Sequence, residues 1–180
     1  RRSAPGLRKS ASRETAMVIT KVEAYDGFKD RASHASHGKT KRNTPMFGKP
    51  GHWYVYFTYG MHWMLNVVTR EEGYPAAVLI RGGVFVNKRS EPVSITGPAR
   101  LTKFLKITNK LNGLPTCVKT GLWIEDRGYK KRGEWIYPPS RKASEDDFSH
   151  LTKIKIRRGP RVGINSAGKI WAGKPWRLSI

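Results

Sequence analysis

Residues 52–66 read HWYVYFTYGMHWMLN, and the fold can be worked out from them. Six of the aromatic residues lie between Trp53 and Trp63. Trp53 to Phe57 is β-branched and aromatic, the composition of a strand. Thr58-Tyr59-Gly60 follows, where glycine suits a tight turn. A second apolar run extends from Met61 to Val68. The pattern predicts a β-hairpin with Tyr59 at its tip. A tyrosine there has few neighbours to bury against. The plain reading is an aromatic-rich core hairpin; in a basic chain the same tyrosine is placed to wedge between stacked bases.

The chain is strongly basic, with 35 Lys+Arg against 13 Asp+Glu and a formal charge of +22. Such self-repulsion calls for an anionic partner, and nucleic acid is the usual one. No apolar run approaches the ~20 residues of a membrane span, so no membrane association is expected. The 180 residues suffice for one domain with a real core. A single cysteine, Cys117, excludes an intrachain disulfide and a cysteine-cluster metal site. His34-x-x-His37 has no cysteine beside it, so neither a metal nor a cofactor is expected.

Residues 1–16 are basic, rich in Ser, Ala and Arg and without periodicity, and read as a disordered tail ahead of a domain over residues 17–180. Met17 to Tyr25 predicts a strand. Glu23 near its end is ordinarily a solvated or ion-paired carboxylate; buried beside Val22 and Ala24, it would be placed for proton chemistry. Asp26 to Gly51 is a long loop carrying Lys39, Lys41, Arg42 and Lys49, either a solvated basic loop or a wall that contacts phosphates.

Beyond the hairpin, Ala76 to Arg81 is an apolar strand closed by a charge. Pro98 to Asn109 has Leu101, Phe104 and Leu105 at helical spacing, Pro98 in the first turn and Gly113 past the end. Arg100, Lys103 and Lys106 lie off that stripe. Gly121 to Glu125 predicts a short strand. Asp126 to His150 is a polar excursion in which Ser144 to Asp147 resembles a capped helix start. Leu151 to Arg157 alternates and predicts a strand with one basic face. Few helices and many short strands give an α+β class: a single compact domain with a mainly antiparallel, curved sheet and a protruding β-hairpin.

Several motifs in order resemble the 3-methyladenine (alkyladenine) DNA glycosylases. They are Glu23-Ala24-Tyr25, Asp30-x-Ala32-Ser33-His34, Met46 to Gly51, Tyr54-Val55-Tyr56-x-x-Tyr59-Gly60-Met61, Asn66 and Val78 to Arg81. Gly97-Pro98, Leu122 to Glu125, Pro160 to Gly163, Ala167-Gly168 and Lys174 to Arg177 continue the match. One departure stands beside the centre: Lys21 takes a position two before Glu23 that is usually acidic. The family's usual helix and strand ahead of Glu23 are replaced here by the Arg/Ser tail.

The resemblance implies a monofunctional glycosylase that flips damaged purines out of double-stranded DNA and hydrolyses the N-glycosidic bond. The lesions would be of the 3-methyladenine, 7-methylguanine, hypoxanthine and ethenoadenine class. It implies that Glu23 activates water, with Arg81 and the Val162 carbonyl holding water and phosphate. Tyr25, His34 and Tyr56 would wall the flipped base, Asn66 would read its edge, and Tyr59 would fill the gap. Lys39, Arg42, Lys49 and Arg100 are expected on the DNA backbone. A monomer without cofactor is expected, inside the cell wherever its DNA is. Two alternatives belong to other classes: a basic RNA-binding module, and an inactive DNA-binding member of the glycosylase fold.

Overall fold

In the computed structural model, which describes residues 17–86, 91–124 and 156–180, the 52–66 stretch forms the hairpin its pattern predicts. Strand β2 (Trp53–Thr58) runs antiparallel to β3 (His62–Val68), with Trp53 opposite Val67 and Thr58 opposite His62. Tyr59 (φ 52) and Gly60 (φ 65) both take positive φ in the turn, where Met61 N–H donates to Thr58 O at 3.1 Å. Positive φ at successive residues matches the turn to the strands' twist.

Five further strands complete a seven-stranded sheet: β1 (Met17–Asp26), β4 (Ala76–Val86), β5 (Pro92–Thr96), β6 (Arg157–Gly159) and β7 (Arg177–Ser179). The order is β2-β3-β4-β1-β7-β6, with β5 paired to β4, and all of these pairings are antiparallel. β4 meets β1 along one edge; its other edge serves β3 in its first half and β5 in its second. Two α-helices lie among the described residues, α1 (Pro98–Phe104) and α2 (Lys169–Gly173), and the class is α+β.

Side-chain alternation gives the sheet two different faces. On one, Trp53, Val55, Leu65 and Ile80 pack with Leu101 of α1 and with Ile107. Each fully buried aliphatic side chain there is worth ~1.5–3 kcal/mol relative to exposure. On the other, Tyr54, Val68 and Ala77 pack under Met46, with Phe47 and Tyr56 at the margin. Opposed pairs Tyr54–Asn66, Asn66–Leu79 and Glu23–Leu79 place Glu23 and Asn66 on this second face.

The β1–β4 ladder is irregular beside Glu23. Ile19 opposes Gly83, Lys21 opposes Gly82 and Val22 opposes Ile80, so Thr20 and Arg81 have no ladder partners. Backbones approach closely at this point: a Cβ on Gly82 would stand 2.9 Å from Ile95 O, and one on Gly83 would overlap Met17 Sδ.

Four expectations need correction. The helix predicted over Pro98–Asn109 stops at Phe104, because Lys106 turns to φ 53 and Ile107 N–H donates to Thr102 O at 2.9 Å, sending Ile107 into the core. Gly121–Ile124 forms no strand; a 3-10 turn (Val118–Thr120) leads into it, and Leu122 O accepts from Trp53 Nε1 at 3.2 Å. β4 runs on past Arg81 to Val86, so Arg81 is interior to the strand, and β5 then pairs with the extension. The strand expected over Leu151–Arg157 is found at Arg157–Gly159, while 151–155 lie outside the described residues. The expected tail at 1–16 and helix start at 144–147 also lie outside them.

Candidate active site

Glu23 is fully buried on the second face. A carboxylate there is costly unless paired and hydrogen-bonded. It is both: Arg81 Nη1 donates to Oε2 at 3.1 Å, Tyr25 Oη donates to Oε2 at 3.0 Å, and Val162 N–H donates to Oε1 at 2.8 Å. Tyr25 stands two residues on along β1, hence on the same face. Arg81 reaches Glu23 from its unpaired place in β4. Val162 arrives from the far C-terminal segment. A carboxylate offers about four acceptor positions, so these three donors leave one, on Oε1 beside the Val162 amide.

Burial, then the Glu23 charge, pushes the Tyr25 phenol well above the ordinary range, so it stays a donor. Arg161 stacks on this ring, its guanidinium carbon 4.7 Å from the centroid.

The aromatic wall is built from β2 and the 3-10 turn His34–His37. Tyr54 and Tyr56, two apart, share a face with centroids 5.2 Å apart. His34 meets Tyr56 edge-on at 4.5 Å, and its Nδ1 shares a 2.9 Å hydrogen bond with the Tyr54 hydroxyl. Part of His34 is open to solvent, yet Nδ1 is bonded to a tyrosine that is only 1% exposed. Burial, then the Arg42 charge, lowers the imidazole to about 4, so it is neutral near pH 7. Tyr56 is pushed up to about 12, chiefly by burial. Burial also raises Tyr54, with Tyr56 adding to it. The wall is therefore a neutral aromatic surface beside one charged carboxylate.

Asn66 is buried in β3, and its Nδ2 donates to Tyr54 O at 3.0 Å, which fixes the amide within the hairpin. Tyr59 is 81% exposed at the tip, flanked by exposed Phe57 and Met61. Glu23, Tyr25, Arg81 and Val162 thus come together; His34, Tyr56 and Asn66 lie on the same face, and Tyr59 stands at the hairpin end. For Val162 the group that meets Glu23 is the amide N–H, where the resemblance had pointed to the carbonyl.

The basic residues divide. Arg42 Nη2 donates to Phe57 O at 3.0 Å, and its guanidinium lies 5.0 Å from the Tyr56 centroid, tying the loop to the hairpin. Lys39 sits 5.4 Å from the Phe47 ring, and Lys49 is exposed. Arg100 is exposed on α1, which packs on the opposite face from Glu23, so the structure does not bring it to this group.

Sequence reasoning assigned no role to Tyr54, Asp30 or Arg161. The Tyr54–Tyr56 alternation signals the first. Nothing local signals the other two, a fully buried ion pair 131 residues apart in sequence. Among the described residues no three His, Cys, Asp or Glu side chains gather to hold a metal, and no helix is long and apolar enough to cross a membrane.

Comparison with known proteins bears on this geometry. The family model for methylpurine-DNA glycosylase matches residues 6–180. A protein of Methanocella arvoryzae is 37% identical over 96% of this chain and 80% of its own length. One from Ehrlichia ruminantium strain Gardel is 47% identical over 91% of this chain and 73% of its own. One from Ehrlichia chaffeensis is 53% identical over 59% of this chain, and the match spans only 59% of that protein. All three are provisionally named 3-methyladenine DNA glycosylases. With the match running through Glu23, the hairpin and Val162 alike, the chain belongs to the methylpurine-DNA glycosylase family.

Proposed function

We propose that the protein is a monofunctional DNA glycosylase that flips a damaged purine out of the duplex and hydrolyses its N-glycosidic bond. The observation that carries this reading is Glu23: a fully buried carboxylate, held by three donors with one acceptor position left, beside a neutral aromatic wall.

A water at the remaining Oε1 position would be oriented for attack at C1′ of the extruded nucleotide. As the C1′–N bond breaks, positive charge grows on the sugar, and the Glu23 carboxylate stabilises it. The water oxygen bonds C1′, its proton passes to Glu23, and the purine leaves with the bonding pair. Tyr25, Tyr56 and His34 supply stacking faces and edges to a flipped base, and Asn66 an amide at its rim. Tyr59, exposed at the hairpin end, is the group to occupy the gap and offset part of the flipping cost of a few kcal/mol. Lys39 and Lys49 in the adjoining loop are available to phosphates, and each phosphate neutralised adds about 0.9 to the salt slope of binding.

The test is incubation with duplexes carrying single hypoxanthine, ethenoadenine or 7-methylguanine lesions, followed by alkaline cleavage at abasic sites. Cleavage at a lesion, and none in its undamaged control, is the expected result. Lesion-selective binding without base release from any of these duplexes would overturn the enzymatic reading in favour of a DNA-binding member of the fold.

A further inference from the structure

We propose that Arg161 is a positioning residue for the reaction: clamped on Asp30, it sets the Val162 amide on Glu23 and backs the Tyr25 wall. What is being positioned rests on the glycosylase reading; the clamp itself is geometric.

The segment that delivers Val162 has little else to hold it. From Ile156 to Ser166, Arg161 is the one buried residue, and the Val162 side chain is 47% exposed. Its neighbour Arg161 is 4% exposed and fully engaged. Nη1 donates to Asp30 Oδ2 at 2.5 Å and to Ala24 O at 2.9 Å; Nη2 donates to Asp30 Oδ1 at 2.8 Å and to Trp171 O at 3.3 Å. Ala24 is the residue between Glu23 and Tyr25. The guanidinium lies between the rings of Tyr25, at 4.7 Å, and Trp176, at 4.9 Å. One side chain thus touches the strand that carries Glu23 and the ring that bonds to it. The next amide along its backbone completes the carboxylate's donors.

Asp30 extends the clamp to the base wall. Oδ1 accepts from Ala32 N–H at 3.1 Å, Oδ2 from Asp26 N–H at 3.3 Å, and Asp30 O accepts from Ser33 N–H at 2.8 Å. This turn leads into the 3-10 turn that begins at His34. The carboxylate centre and the histidine wall therefore share one buried anchor.

Stability alone is a poor account of this pair. Buried ion pairs are often matched or bettered by apolar side chains of similar volume. Arg161 Nε is moreover buried without a hydrogen-bond partner, a cost an apolar residue would not carry. What an apolar residue could not do is fix a backbone amide through a two-pronged, directional contact.

The experiment uses Arg161→Lys and Arg161→Ala in the full chain. Lysine keeps the charge and loses the fork. R161K should bind lesion duplex nearly as the parent does, while single-turnover base release falls ~10²-fold, the scale of a small misplacement at a reacting centre. Hydrogen exchange at the Val162 amide should quicken by at least ~10-fold as that local contact opens more readily. In R161A, methylguanidinium should refill the site against Asp30 and raise Tm towards the parent's value without restoring the rate, because a free cation is not tethered to Val162. An R161K protein releasing base at the parent's rate would overturn the proposal, as would an R161A protein whose rate returns together with its Tm. Should R161A fail to fold, R161K and the amide exchange decide. Should the parent release no base, the glycosylase reading falls; the clamp then stands or falls on whether Val162 exchange differs between parent and R161K.

Discussion

The two faces of the sheet are made by alternate residues of the same strands, yet they are assembled on different principles. The α1 face buries Trp53, Val55, Leu65, Ile80 and Leu101, side chains with nothing to hydrogen-bond except the Trp53 indole. The opposite face buries Glu23, Asp30, Asn66 and Arg161, and each needs named partners to be there at all. The first face stabilises the fold through apolar burial. The second depends on that stability to keep a charge and several polar groups out of water. The difference predicts that damage to one face should read out in unfolding and damage to the other in turnover.

The sharpest separation should come from Leu101, which is fully buried on the α1 face. Leu101→Ala should lower unfolding stability by about 2–5 kcal/mol, with base release per folded molecule unchanged in single-turnover assays. A fall in that rate alongside the stability would show that the two faces are not separable.

Glu23→Gln should do the reverse. It keeps size and most acceptor geometry and removes the basic carboxylate. Base release should fall at least ~10²-fold, the low end of what a positioned general base contributes, while lesion-DNA affinity holds or rises. Normal release by a protein that binds normally would end the general-base assignment.

Tyr59 belongs to neither face, which makes it a control. Its side chain is 81% exposed, so Tyr59→Ala should leave stability nearly intact. Capture of a lesion in paired duplex should weaken by about 1–3 kcal/mol, the scale of one aromatic–base stack. The loss should shrink for a lesion in a mismatch or single strand, where less stacking must be broken. Equal losses on paired and unpaired lesions would make Tyr59 ordinary surface.

The smallest expected effect is the acid response of the second face. His34 is lowered to about 4 from an ordinary 6.5, so between those values the unfolded chain binds more protons than the folded one. The stability tied to neutral His34 is present above about pH 6.5 and is lost as pH falls towards about 4. Unfolding midpoints measured across that window should decline more steeply in the parent than in His34→Gln. Parallel slopes would remove His34 as the source.

How far the sequence discloses these faces depends on the range of the cause. The hairpin was legible because strand composition, a glycine turn and a second apolar run lie within residues 52–68. Glu23, Tyr25, Tyr56 and Arg81 were legible through motif resemblance, and the pairing then explains why they meet. The end of α1 was not legible: Leu101, Phe104 and Leu105 keep helical spacing, but Lys106 turns left-handed so that Ile107 can reach the core, a demand set by the sheet beneath. The 121–124 segment misled for a related reason, since Leu122 serves as packing against the Trp53 core without a strand to pair with. Asp30 and Arg161 are single residues with no spacing rule between them, and only the fold brings them into contact.

Between Ile19 and Val22, β1 takes three steps, and between Gly83 and Ile80 so does β4. Strict alternation over an odd number of steps would put Ile19 on the side opposite Ile80, yet both pack in the α1-side core. The extra residues, Thr20 and Arg81, change both strands' phase together, so the ladder reads in frame on either side of them. A single deletion in this stretch is accordingly a frameshift in the sheet: loss of Thr20 alone would carry Met17 and Ile19 across to the wrong side. Only matched changes, one in each strand, preserve the frame, and the residue that matches Thr20 is the arginine bonded to Glu23. The length of β1 is thereby locked to the presence of Arg81, and relatives that alter one strand here are expected to have altered the other.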